Sequence, residues 1–307
     1  MKIIVVKDKK SFRNEDLFRL RGVGAKLYDK AAFEYIQELF TDEEKVFAVQ
    51  PASLEGRFES LPWDKLRKIK NLKGLVLATT AFGWVDIDKL MKRGTIVCNC
   101  PDKATNAVAE GGFLSMMSLL RKIPILIQNG FQRSSDIYGT EIMNFRVGVV
   151  GFGRIGKRFA KICKEQGCEV FYWNRNRRKT EYNYISLQKL FRTCDCIYLS
   201  FATNRTLKGF INNKLIDSMK SSALIISCID NLVYDKEYII NKVNSGELGG
   251  FSYEEEGDSV PRVKGNIWVV PDSFYYYTKD TLENESRIFT DTILSVIRNQ
   301  PINCVND

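Results

Sequence analysis

Residues 146–179 read RVGVVGFGRIGKRFAKICKEQGCEVFYWNRNRRK, and this stretch decides the fold. The run VGVV predicts a strand, GFGRIG a glycine turn, KRFAKICKEQG an amphipathic helix and CEVFYW a second strand. In the turn, Gly151 permits the tight bend, Gly153 lets the backbone approach a pyrophosphate, and Gly156 lets the helix pack closely on the strand. The first N–H groups of the helix, those of Arg154 and Ile155 among them, then face an anion. The glycine spacing alone is a weak signal. Its place between a strand and a helix predicts a Rossmann dinucleotide-binding unit.

Sites selective for NAD carry an Asp or Glu at the end of the second strand, where it accepts hydrogen bonds from the ribose hydroxyls. Asn174 occupies that place here, followed by Arg175, Arg177, Arg178 and Lys179. Without the carboxylate a 2'-phosphate is not repelled, and guanidinium groups can chelate it, so the pattern predicts NADP, with NAD as the alternative. The bland reading of the same run is a solvated basic loop.

Working outward, strands are expected at about 2–6, 47–50, 72–79 and 95–99, with helices at about 30–40 and 86–93. Downstream, strands are expected at 196–201, 223–228, 249–253 and 266–270, and helices at 235–245 and 280–298. Strands alternating with helices imply parallel sheets. NAVAEGGFLSMMSLLRKIPILIQ, at 106–128, predicts a helix as far as Pro124. Its Met and Leu stripe suits buried packing, and equally a surface between subunits.

Composition narrows the chemistry. With 307 residues, 44% of them hydrophobic, the chain can fill two ordinary cores. It contains no histidine, which excludes His-based triads, dyads, zinc ligation and imidazole acid catalysis. The eight cysteines are scattered, and the pairs Cys98 with Cys100 and Cys194 with Cys196 read as small apolar groups on strands, in preference to a metal site. The charge of +9 is spread over 46 basic and 37 acidic residues without a nucleic-acid motif, so nucleic-acid binding is disfavoured. The opening MKIIVVKDKK has too short an apolar run for a secretory signal, and the chain lacks an apolar stretch of about 18 residues; a cytoplasmic protein without a membrane span is expected.

Beyond the glycine unit, LKGLVLATTAFGWVDID (72–88), TIVCNCPDKATNAVAEGG (95–112), SFATNRTLKGFINNKLIDSMKSSALII (200–226) and GNIWVVP (265–271) resemble, in order, the blocks of the D-isomer-specific 2-hydroxyacid dehydrogenases. The resemblance implies an α/β protein in which a Rossmann domain is inserted into a flavodoxin-like substrate domain. It places the substrate domain at about 1–99 and 285–307, the cofactor domain at 100–284, and a cleft between them. It also implies a homodimer, a small-molecule substrate, and hydride transfer between a 2-hydroxy acid and a nicotinamide cofactor. Asn204, in the SFATNRT block, joins the residues expected at the cofactor.

The family's machinery is an Arg that clamps the substrate carboxylate, a His that acts as acid and base, and a Glu that tunes the His. Matched block by block, the Arg position falls on Asp230 and the His position on Asp272. The Glu position falls on Gly257, or on Glu256 after a shift of one residue. Asp230 reverses the charge of the clamp and would repel an anionic 2-keto acid. Asp272 holds no proton at neutral pH unless burial or a second carboxylate raises its pKa. Two readings follow: an NADP-linked oxidoreductase acting on a neutral or cationic substrate such as an imine, or a catalytically silent NADP(H)-binding sensor or regulator. In the first, Asp272 or one of Tyr275, Tyr276 and Tyr277 is the proton donor; the tyrosines also suit plain packing.

Overall fold

The structure, a computed structural model, describes residues 1–305 except 133, 135, 136, 204, 256–259 and 272–277. The chain divides into two compact units, Met1–Ala104 with Thr278–Asp307, and Thr105–Tyr277.

The first unit is built on β1 (Lys2–Val6), β2 (Lys26–Tyr28), β3 (Lys45–Val49), β4 (Leu72–Leu77) and β5 (Ile96–Cys98), all parallel in the order β2-β1-β3-β4-β5. This is the flavodoxin-like order. β1 and β3 are nearly continuous apolar runs because both of their faces are covered, as parallel strands require. Ile4, Val6, Phe47, Val49, Leu75 and Leu77 fill one face. Ile3, Val5, Val46, Ala48 and Val76 fill the other.

Three helices join these strands: α1 (Asn14–Gly22), α2 (Trp63–Leu66) and α3 (Ile87–Lys92). The helix expected at 30–40 is instead two 3-10 turns, Phe33–Tyr35 and Gln37–Phe40. Its buried residues Phe33, Ile36 and Leu39 recur every third position, which fits the three-residue period of a 3-10 helix as well as it fits an α-helix. The helix α1 and the edge strand β2 escaped the sequence reading because NEDLFRLRG is mostly polar and KLY is short and half-exposed.

The second unit opens with α4 (Thr105–Leu120) and α5 (Ile123–Gln128). The long helix therefore stops before Pro124. Lys122 turns the chain with φ +56°, and Pro124 lies in the first turn of α5, where its missing N–H costs nothing. A seven-stranded parallel sheet follows, made of β6 (Arg146–Val150), β7 (Glu169–Trp173), β8 (Asn183–Tyr184), β9 (Cys196–Leu199), β10 (Leu224–Ser227), β11 (Gly250–Glu255) and β12 (Ile267–Pro271). Its order is β12-β11-β10-β9-β6-β7-β8, the Rossmann pattern, and the order reverses between β6 and β9.

The connecting helices are α6 (Arg154–Glu165), α7 (Leu187–Thr193), α8 (Asn213–Asp217) and α9 (Lys236–Asn244). Val149, Tyr198 and Ile226 pack with Met116 and Phe159 on one face of the sheet. Val150, Ile197, Ile225 and Phe251 pack with Leu190 and Ile239 on the other. The chain then returns to the first unit as α10 (Lys279–Ile297), which lays Phe289, Ile293 and Val296 on that unit's sheet. No helix among the described residues is long and apolar enough to cross a membrane.

Candidate functional site

At the end of β6 the chain bends at Gly151 with φ +94°, a conformation that side-chain-bearing residues rarely adopt. The Gly151 N–H donates to the Trp173 carbonyl at 2.9 Å, which holds the turn against the end of β7. A Cβ on Gly151 would lie 2.7 Å from the Phe201 backbone nitrogen, just after β9. Gly156 is tighter still: a Cβ there would lie 2.1 Å from the Gly151 carbonyl oxygen. That carbonyl also accepts from the Ser200 hydroxyl at 2.9 Å.

Gly153 differs from both. It is the N-cap of α6, and a Cβ built on it meets nothing within 4 Å. Two glycines therefore make room for protein, while the third leaves space open in front of the helix terminus. The first N–H groups of α6, including those of Arg154 and Ile155, have no partner within the helix. An open space beside such a terminus, at the switch point of a doubly wound sheet, fits a dinucleotide pyrophosphate.

Phe152, which the sequence reading passed over, anchors this loop. It is fully buried, stacked on Tyr172 with ring centroids 4.1 Å apart and set edge-on to Tyr182. Its N–H donates to Asn174 Oδ1 at 3.1 Å, and Asn174 Nδ2 donates to the Asn176 carbonyl at 2.9 Å. The Asn174 amide thus bridges the glycine loop and the basic loop. An Asp at this position would keep the first bond, lose the second, and add a negative charge beside the loop.

Tyr172 pins the basic loop from below. Its hydroxyl accepts from the Arg178 N–H at 3.0 Å and donates to the Arg178 carbonyl at 2.8 Å. The side chains of Arg175, Arg177, Arg178 and Lys179 are exposed. Among the described residues none of the four is ion-paired to a carboxylate. The guanidinium of Arg177 lies 5.9 Å from the Tyr184 ring centroid.

Of the residues matched to the family's machinery, Asp230 is described. It is exposed, follows β10, and accepts the Leu232 N–H at 2.8 Å, capping the 3-10 turn Asn231–Val233. Beside it, Asn231 Nδ2 donates to the Glu254 carbonyl at 3.0 Å. Glu256, Gly257, Asp272, Tyr275, Tyr276, Tyr277 and Asn204 lie outside the described residues. At the end of β10 burial pushes the Cys228 thiol up to about 12, so it stays protonated at neutral pH and is no thiolate nucleophile.

Residues 113–263 match the model of the D-isomer specific 2-hydroxyacid dehydrogenase NAD-binding domain. The D-lactate dehydrogenase of Treponema pallidum is 25% identical over 306 residues, covering 91% of each chain. An acyclic imino acid reductase, solved in complex with NADPH and D-Arg, is similar in fold with a TM-score of 0.85 at 20% identity, covering 99% of this chain and 100% of that one. The D-lactate dehydrogenase of Aquifex aeolicus, complexed with NAD and lactic acid, gives 0.78 at 20% identity, covering 98% of this chain and 96% of its own. One of the two solved neighbours holds NADPH and the other NAD.

Proposed function

We propose, from the premise that this chain is a relative of the D-isomer specific 2-hydroxyacid dehydrogenases with an NAD(P)-binding domain, that it binds NADP(H) in preference to NAD(H) and does not turn over ordinary 2-keto acids. The observation that carries the cofactor preference is the neutral Asn174 amide, set between the glycine loop and four exposed cations that have no acidic partner among the described residues. A carboxylate there would repel a 2'-phosphate; Arg175 and Arg177 are free to chelate one.

Titrating the protein with NADPH and with NADH, read by fluorescence, tests this reading. NADPH is expected to bind at least roughly tenfold tighter, a difference of about 1.4 kcal/mol. Replacing Arg175 and Arg177 by Ala is expected to remove most of that difference. Equal affinity for the two nucleotides in the unaltered protein would refute the preference.

When bound, the cofactor supplies a hydride. The protein would have to place the acceptor and manage its charge without a histidine. An acidic residue in place of the family's Arg disfavours an anionic acceptor by like-charge repulsion, screened in part by water because Asp230 is exposed. A protonated imine suits these residues better. It is cationic, and it becomes an amine on accepting hydride without a proton delivered in the same step. The resemblance in fold to a reductase of acyclic imino acids, solved with a cationic amino acid, agrees with this class.

Consumption of NADPH is expected when an uncharged aldehyde or ketone without a carboxylate is mixed with excess methylamine, and not when pyruvate, glyoxylate or hydroxypyruvate is supplied alone. Rapid reduction of any of the three alone would overturn the substrate reading. A second reading, a silent NADP(H)-binding sensor or regulator, is favoured by the capping bond that Asp230 makes to Leu232. Tight NADPH binding with no turnover in either mixture supports it.

A further inference from the structure

The second unit carries a groove of about 670 Å³ at the amino ends of its strands, away from the glycine loop. Leu224 opens β10, Gly249 precedes β11 and Asn266 precedes β12, and all three line it. The size is that of a site for a small organic molecule. Asn266 stiffens the wall, because its amide nitrogen donates to the carbonyls of Leu119 at 3.0 Å and Gly249 at 2.7 Å.

The lining has two parts. Ile125 is the partly exposed apolar side chain of the lining, over the buried Leu119 and Leu248, while Lys122 and Lys264 supply ammonium groups, and no carboxylate is among the lining residues. Lys122 is the informative one. It holds a left-handed backbone with φ +56°, is half-buried, and has no ion pair or hydrogen bond from its ammonium among the described residues. Burial alone pulls its ammonium below the ordinary value, with no neighbouring carboxylate to offset the effect. A partly desolvated cation without a counter-charge carries a cost that a bound anion removes.

We infer that this groove binds an amphipathic organic anion, a carboxylate or a phosphate ester with an apolar chain, its charge on Lys122 and Lys264 and its apolar body against Ile125. The inference is independent of the cofactor site, which lies at the other ends of the strands.

Calorimetric titration of the whole protein with octanoate, octyl phosphate and the uncharged octanamide tests it. At least one anion is expected to bind roughly tenfold tighter than octanamide. Lys122→Met and Lys264→Met are each expected to weaken that anion, Lys122→Met by at least roughly tenfold, while NADPH affinity stays unchanged in both. Tighter octanoate assigns a carboxylate, and tighter octyl phosphate assigns a phosphate ester. Equal binding of octanamide, or unchanged anion binding in Lys122→Met, would overturn the proposal. So would a change in light-scattering mass in the variants with no change in anion binding, since the lysines would then serve contact between copies of the chain.

Discussion

Gly156→Ala is expected to lower NADPH affinity by at least roughly a hundredfold and to destabilise the second unit by about 1–3 kcal/mol, the usual range for overpacking. The added methyl would lie 2.1 Å from the Gly151 carbonyl oxygen, 2.9 Å from Ser200 Oγ and 3.0 Å from Val149 Cγ1. The nearest of these atoms is backbone and cannot rotate away. Relief requires α6 to move off β6, which withdraws the helix N–H groups from the space before Gly153. Gly153→Ala separates the two effects. Its methyl meets no protein atom within 4 Å and its φ of −82° suits alanine, so urea unfolding should be unchanged while NADPH affinity falls. Unaltered NADPH binding by Gly156→Ala would show that the loop is not the cofactor cradle.

Glu285→Gln is expected to destabilise the first unit by about 3–5 kcal/mol, the cost of breaking a buried ion pair from one side. Lys7 Nζ donates to Glu285 Oε1 at 2.5 Å and to Gln50 Oε1 at 3.2 Å. Lys103 Nζ donates to Glu285 Oε2 and, at 2.9 Å, to the Ala78 carbonyl. The side chains of Lys7, Glu285 and Lys103 are 0%, 4% and 10% exposed, so water screens little of this charge. Glutamine would leave the buried Lys7 ammonium beside a neutral amide, without the charge that offsets its desolvation. Lys7→Met should cost less, because the Glu285–Lys103 pair survives.

The same cluster sets a pH dependence. Burial raises the Glu285 carboxyl, but Lys7 and Lys103 outweigh it and hold the carboxyl below its ordinary value of 4.5. A carboxyl depressed on folding adds stability above its unfolded value, and that stability is lost as the pH falls through the folded value. The stability gap between the unaltered protein and Glu285→Gln should therefore narrow as the pH is lowered from about 5 towards 3. A gap that stays constant over that range, in urea titrations followed by circular dichroism, would assign Glu285 no electrostatic role.

The glycine unit and the parallel sheets were legible in the amino-acid order. Their signals are local: strand runs buried on both faces, a turn that only glycine can make, and a helix beginning where a strand ends. The exposed basic run after β7 was legible for the same reason, since its place behind Asn174 is set by the order of residues alone. What needed the tertiary structure was every feature assembled from distant positions. Phe152 gives no sign of its role until Tyr172 and Tyr182 are beside it. Asn174 reads as a missing carboxylate, and its bridge from Phe152 to Asn176 exists only once β6 and β7 are paired. Lys7, Lys103 and Glu285 are ordinary charged residues until α10 returns to the first unit, and Lys122 and Lys264 share a groove because the sheet brings their segments together. Periodicity and turn chemistry act over a few residues and can be read along the chain, whereas desolvation and charge pairing depend on neighbours that folding alone supplies.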